Sequence, residues 1–115
     1  MSESKAMISG CAGKALTVDE MAFFTREKPW GLILFGRNIG MPEEIEALTA
    51  HFRLLVGRDD APVFIDQEGG RVQRIREPIT QSYPTGAAVG AVYRNDPVAG
   101  RRAARTMSWL HAADL

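Results

Sequence analysis

Three short apolar runs constrain what this chain can fold into: Ala6-Met7-Ile8, Gly31-Leu32-Ile33-Leu34-Phe35 and Pro62-Val63-Phe64-Ile65. The second is a continuous apolar run between two glycines, the pattern of a strand covered on both faces in a parallel sheet. The first ends at the turn Ser9-Gly10, and the third reads as another buried strand. Helical spacing fills the gaps. Thr17 and Glu20 have capping-box spacing, in which each side chain satisfies the other's free backbone N–H. Val18, Met21 and Ala22 fall on one face of that helix, Phe24 extends it, and Pro29 lies just past its end. Pro42 suits the first position of a second helix. Ile45, Leu48, Phe52 and Leu55 give it one apolar stripe, and Gly57 a stop. A loop rich in Gly, Pro, Ser and Thr is expected from Asp66 to Tyr93. Asp96 and Pro97 then cap and start a third helix, with Ala99, Ala103, Thr106 and Leu110 on its inner face.

The order is strand, helix, strand, helix, strand, long loop, helix. Such alternation predicts an α/β fold of parallel strands joined by right-handed crossovers, over one domain from 1 to 115. Ala113-Asp114-Leu115 still lies in an amphipathic helix with no stop signal, so the domain is expected to be cut short.

Composition narrows the partners. Lys+Arg and Asp+Glu are 14 each, so the formal net charge is zero. That balance draws the chain towards neither nucleic acid nor an anionic membrane. No apolar run approaches the roughly 20 residues of a membrane span. The polar start Met1-Ser2-Glu3-Ser4-Lys5 lacks the apolar core of a secretory signal. A single cysteine, Cys11, is expected as a small buried packing residue in a reducing, cytoplasmic compartment. His51 and His111 lie far apart and are expected to be solvated or locally bonded, so neither a metal site nor any other cofactor is expected. There is no GxGxxG and no phosphate loop. Arg101, Arg102 and Arg105 are expected to form a solvated basic face.

In parallel α/β folds the ligand site lies at the carboxyl ends of the strands. After the second run comes Gly36-Arg37-Asn38-Ile39, and after the third Asp66-Gln67-Glu68-Gly69-Gly70-Arg71-Val72-Gln73-Arg74. Asp66 is the first polar residue after its strand, so its carboxylate is expected at the mouth of the fold. There it either bridges sugar hydroxyls or caps a turn. Arg74 offers a rigid fork of donors for an oxygen-rich ligand or a carboxylate. Gly69-Gly70 permits a sharp turn or close approach to a ligand. Glu68 is expected in an ion pair with Arg71 or Arg37, and Arg71 and Gln73 in holding the loop. Arg37 and Asn38 either line the site or tie adjacent loops.

Ile65 to Arg74 closely resembles the IDQEGGRVQR string of family 3 glycoside hydrolases in the β-N-acetylhexosaminidase branch. Pro29-Trp30-Gly31-Leu32-Ile33-Leu34-Phe35-Gly36-Arg37-Asn38-Ile39 is similar to the PWGxILFxRNI segment of the same branch. Gly57-Arg58 and Ala61-Pro62-Val63 also match. The resemblance implies a (β/α)8 TIM barrel, of which this chain supplies about three strands and their helices, since a whole barrel takes about 250 residues. It implies hydrolysis of terminal non-reducing β-linked N-acetylglucosamine, with retention through a glycosyl-enzyme intermediate. In bacteria it implies a cytoplasmic role in recycling cell-wall muropeptides, as a monomer. The family's substrate-binding aspartate and arginine map to Asp66 and Arg74. Its other sugar-binding residues, its catalytic aspartate and its catalytic histidine are expected beyond Leu115, so the chain alone is expected to be inactive and marginally stable. A β-glucosidase of the same family and a non-catalytic sugar-binding fragment are the alternatives.

Overall fold

The computed structural model describes residues 3–115; Met1 and Ser2 of the polar start lie outside the described residues. Two units divide the chain, Met1–Ile65 and Asp66–Leu115.

In the first unit the elements are β1 (Lys5–Ser9), α1 (Val18–Glu27), β2 (Pro29–Leu34), a 3-10 turn (Gly36–Asn38), α2 (Pro42–Val56) and β3 (Val63–Ile65). The strands lie in the order β1-β2-β3, both pairs parallel. The expected capping box opens α1: the Glu20 N–H donates to Thr17 Oγ1 at 3.2 Å, and the Thr17 N–H donates to the Glu20 carboxylate at 2.8 Å. Lys28 ends α1 in the left-handed region, and Gly57, at φ 70°, ends α2 where a residue without Cβ bears no penalty.

Leu32 pairs with Val63, and Leu34 with Ile65. Because successive side chains alternate faces, Leu32 and Leu34 share one side. That side packs with Phe24, Leu48, Phe52 and Val56 in the core of the unit. The stripe expected on α2 is thus the buried one, with Leu48 and Phe52 at its centre. On α1 the expected face is only partly right. Val18 is 75% exposed and Ala22 is exposed; Phe24 is buried, with Met21 and Phe23 beside the core. Burial of two phenylalanine rings removes more apolar surface from water than Val18 and Ala22 together, so the helix is turned to favour the rings.

In the second unit the elements are β4 (Gln67–Gly69), β5 (Val72–Gln73), α3 (Gly86–Asn95) and α4 (Pro97–Asp114). The expected loop from Asp66 to Tyr93 therefore holds an antiparallel hairpin and most of a helix. Strands of three and two residues are too short to display a period. Helix α3 has no buried residue; Thr85 caps it by accepting from the Ala88 N–H at 3.1 Å. Helix α4 starts as expected, with Asp96 accepting from Val98 and Ala99. At Gly100 the two helices approach so closely that a Cβ would meet the backbone of Tyr93.

The inner face of α4 differs from expectation at two places. Thr106 is exposed, and Met107 is the half-buried residue in that turn. His111, expected in solvent or bonded locally, is only 9% exposed. Its ring stands edge-on to Tyr83, centroids 4.6 Å apart, and neither ring nitrogen has a hydrogen-bond partner. Spacings of three and four from Gly100 through Ala103, Met107 and His111 carry it onto the covered stripe. Among the described residues no helix is long and apolar enough to cross a membrane.

Candidate functional site

In the first unit the loops after β1 and β2 are joined by Asn38. Its Oδ1 accepts from the Phe35 N–H at 2.8 Å, while Nδ2 donates to the carbonyls of Cys11 at 3.1 Å and Gly13 at 2.8 Å. The residue is 1% exposed, and a buried amide of this kind must use its donors and acceptor. Arg37 is exposed, lies over the Phe35 ring at 4.9 Å, and donates from Nε to the Cys11 carbonyl at 2.9 Å. Of the two tasks open to Arg37 and Asn38, the bonds show the tying of adjacent loops. Cys11 is buried, as expected. Burial, and then the nearby Glu20 charge, push its thiol above the usual range, against the opposing pull of Arg37 and a hydrogen bond at Gly13.

In the second unit Asp66 directly follows β3 along the chain. Its Oδ2 accepts from Arg74 Nη2 at 3.3 Å, with 41% of the Asp66 side chain and 28% of the Arg74 side chain exposed. A hairpin makes this pairing possible. Gln67 pairs with Gln73 and Gly69 with Val72, so the chain returns and Arg74 arrives beside Asp66. The reversal depends on Gly69 and Gly70, at φ 84° and 60°. These glycines do approach something closely, and it is their own chain: a Cβ on Gly69 would strike the Pro84 carbonyl, and one on Gly70 the Thr85 side chain.

The remaining charged residues of the motif divide by task. Glu68 and Arg71 are both exposed, and among the described residues Glu68 makes no ion pair, so the one expected with Arg71 or Arg37 is not found. On a short hairpin both long side chains gain more from hydration than from an exposed contact. Arg76 holds the turn instead, donating from Nη2 to the carbonyls of Gly70 at 2.9 Å and Arg71 at 2.6 Å. Gln73 is 2% exposed and donates to the carbonyls of Ile75 at 3.0 Å and Gln81 at 2.7 Å, while accepting from the Tyr83 N–H at 3.0 Å. That matches its expected part in holding the loop. Gln67 and Arg76 were not singled out by the sequence reading. The signal for Gln67 was there: two glutamines flank the Gly-Gly turn at positions that a hairpin brings opposite each other. Among the described residues no group of three or more His, Cys, Asp or Glu is placed to hold a metal ion.

The geometry places a carboxylate and a guanidinium together, half open to water, on a hairpin held from behind by amides. Acceptor and donor side by side suit a ligand rich in hydroxyls.

No protein-family profile matches the chain. A β-hexosaminidase of Alkalilimnicola ehrlichii is 38% identical over 109 residues, which are 95% of this chain and 31% of that protein. The structure of NagZ from Neisseria gonorrhoeae in complex with N-trifluoroacetyl-D-glucosamine aligns with a TM-score of 0.81 at 30% identity, over 95% of this chain and 31% of that one. A glycoside hydrolase family 3 β-N-acetylglucosaminidase from Paenibacillus aligns with a TM-score of 0.62 at 30% identity, over 74% of this chain and 16% of that one. The parallel strands and their helices match the N-terminal part of the NagZ barrel domain, as the α/β reading expected. The chain spans about a third of the length of the curated β-hexosaminidases it matches, and over most of its own length it is similar to proteins of glycoside hydrolase family 3.

Proposed function

We propose that this chain supplies the sugar-gripping part of a retaining exo-β-N-acetylglucosaminidase. The enzyme removes terminal non-reducing β-linked N-acetylglucosamine through a glycosyl-enzyme intermediate and uses no cofactor. The observation that carries the reading is the Asp66–Arg74 pair, directly after β3, in a chain 38% identical to a β-hexosaminidase. The Asp66 carboxylate accepts from sugar hydroxyls and the Arg74 guanidinium donates to sugar oxygens. Holding the ring this way aligns the glycosidic carbon for attack. Arg37 and Asn38, which tie the loops after β1 and β2, and Glu68 and Arg71, on the hairpin itself, are supporting residues in this reading. The ligand of the Neisseria NagZ structure, N-trifluoroacetyl-D-glucosamine, is a sugar of the class this reading requires.

A retaining glycosidase needs a carboxylate nucleophile and an acid/base across the scissile bond. Neither role is assigned to a residue of this chain, so the 115 residues alone turn nothing over. The setting is the cytoplasm and the substrate a muropeptide carrying N-acetylglucosamine. Zero net charge favours a carbohydrate partner over nucleic acid or membrane. The whole protein acts as a monomer.

A hybrid enzyme tests the reading. This chain replaces the matching 109 residues of the Alkalilimnicola ehrlichii β-hexosaminidase, and the hybrid is assayed with an aryl N-acetyl-β-glucosaminide and an aryl β-glucoside. The expected result is release from the first substrate only, lowered about a hundredfold in kcat/KM by Asp66→Ala or Arg74→Ala. A folded hybrid that prefers the glucoside, or that tolerates both substitutions, overturns it.

A further inference from the structure

The last ladder pair of the hairpin is Gln67 with Gln73, so Arg74 lies one residue beyond it. The Gln67 side chain takes over where the ladder stops. Its Oε1 accepts from the backbone N–H of Arg74 at 2.9 Å and of Ile75 at 3.1 Å, and its Nε2 donates to the Ile75 carbonyl at 2.9 Å. A carboxamide is the one side chain of this length that both accepts and donates here. Leucine does neither, and glutamate turns a carboxylate towards the Ile75 carbonyl.

We infer that Gln67 is a positioning residue, whose amide fixes the backbone of Arg74 so that its guanidinium meets the Asp66 carboxylate and, with it, the sugar. The inference rests on the reading of Asp66 and Arg74 given above. Gln73 provides the control. It lies at the same register pair and its amide also donates to the Ile75 carbonyl, but its other bonds grip Gln81 and Tyr83 in the following segment, whereas Gln67 accepts from the Arg74 N–H. One amide serves the arginine and the other serves the loop. A side chain pivots on its backbone, so an unfastened Arg74 backbone moves the guanidinium by enough to lose the geometry that binding needs.

The test uses the 15N-labelled 115-residue chain and the hybrid enzyme together. In Gln67→Leu, amide exchange at Arg74 and Ile75 is expected to rise at least about tenfold, and the Arg74 Nε–Hε signal to move to the position of unstructured arginine. Gln67→Glu keeps the two accepted bonds and is expected to recover most of the protection at Arg74. Gln73→Leu is expected to lower the melting temperature more, yet to leave the Arg74 Nε–Hε signal in place. In the hybrid, Gln67→Leu is expected to raise KM for the aryl N-acetyl-β-glucosaminide at least about tenfold. An unmoved Arg74 signal in Gln67→Leu, or an equal rise in KM from Gln73→Leu, overturns the inference. If the Arg74 signal moves while neither Gln67→Leu nor Asp66→Ala changes KM, the sugar-binding reading fails and the fixing of Arg74 against Asp66 stands.

Discussion

Asp66 accepts from Arg74 at 3.3 Å in a pair that leaves a substantial part of both side chains in water. Ion pairs this exposed contribute about 0–1 kcal/mol to folding. We therefore expect Asp66→Asn and Arg74→Gln to change the unfolding free energy of the chain by less than about 1 kcal/mol. Urea titration followed by circular dichroism measures this. A loss above about 2 kcal/mol would give the pair a structural purpose and weaken the case that its open carboxylate and guanidinium serve a ligand.

Stability in the first unit comes from elsewhere. The rings of Phe24 and Phe52 meet edge-on with centroids 5.4 Å apart, and both residues are at most 1% exposed. Truncating either ring leaves a cavity that close-packed neighbours fill only in part. Phe52→Ala and Phe24→Ala are each expected to cost about 3–5 kcal/mol. The double variant should lose less than the sum, by the roughly 0.5–1.5 kcal/mol of the ring pair. Full additivity in a urea double-mutant cycle would contradict the contact.

Asn38 and Arg37 are adjacent in sequence and unequal in importance. Asn38→Leu removes the side-chain acceptor of the Phe35 N–H and the amide donor to the Gly13 carbonyl, which keeps only its weaker bond from the Cys11 thiol. Unsatisfied buried groups cost about 1–3 kcal/mol each. Arg37→Ala removes a bond to the Cys11 carbonyl, which keeps its bond from Asn38. We expect about 0.5–1.5 kcal/mol there. Thermal unfolding of the two variants side by side decides the ranking, and a more damaging Arg37→Ala would reverse it.

What could be read from residues alone follows physical reach. The strands of the first unit were legible because continuous apolar runs between glycines and prolines have few other uses, and the caps at Thr17, Pro42, Gly57 and Asp96 because each answers a local backbone demand. Local demands do not fix how a helix is rotated. Val18 and Ala22 share a face with Met21, but Phe24 and Phe52 must meet, and that contact spans 28 residues of chain. The hairpin at Gln67 was hidden for a related reason. Its strands are too short for periodicity, and it is held by side-chain amides that reach backbone up to ten residues away. Motif resemblance singled out Asp66 and Arg74, whereas the parts of Gln67, which fastens the Arg74 backbone, and of Arg76, which holds the turn, are visible in the bonds themselves.

Glu20 links the capping box to the loop after β1. Burial works to raise its pKa, but bonds from the backbone N–H groups of Thr17 and Ala12, the Thr17 hydroxyl and the charge of Arg37 outweigh it and hold the carboxyl below the usual range. A carboxyl depressed in the folded state binds its proton more readily when unfolded. Its contribution is therefore present above the unfolded value of about 4.3 and fades as pH falls through the lower folded value. Urea midpoints of the wild type should fall through that acid window more steeply than those of Glu20→Gln, which is weaker at neutral pH and flatter below it. Parallel curves would show that Glu20 is not the group responsible.

Cys11 gives a readout of opening in the same loops. The residue is 3% exposed, and its thiol is raised chiefly by burial and secondarily by Glu20, while Arg37 opposes the rise. Thiolate is the reactive form, so a raised and covered thiol reacts slowly with iodoacetamide near neutral pH. The folded chain should alkylate more slowly than free cysteine, and the rate should climb in step with the unfolded fraction as urea is added. Arg37→Gln removes the charge that favours thiolate and should slow alkylation of the folded form further. Asn38→Leu should do the opposite, because a loosened loop exposes the sulfur. Alkylation of the wild type at the rate of free cysteine without urea would place Cys11 in solvent, and the packing of the loops after β1 and β2 would have to be redrawn.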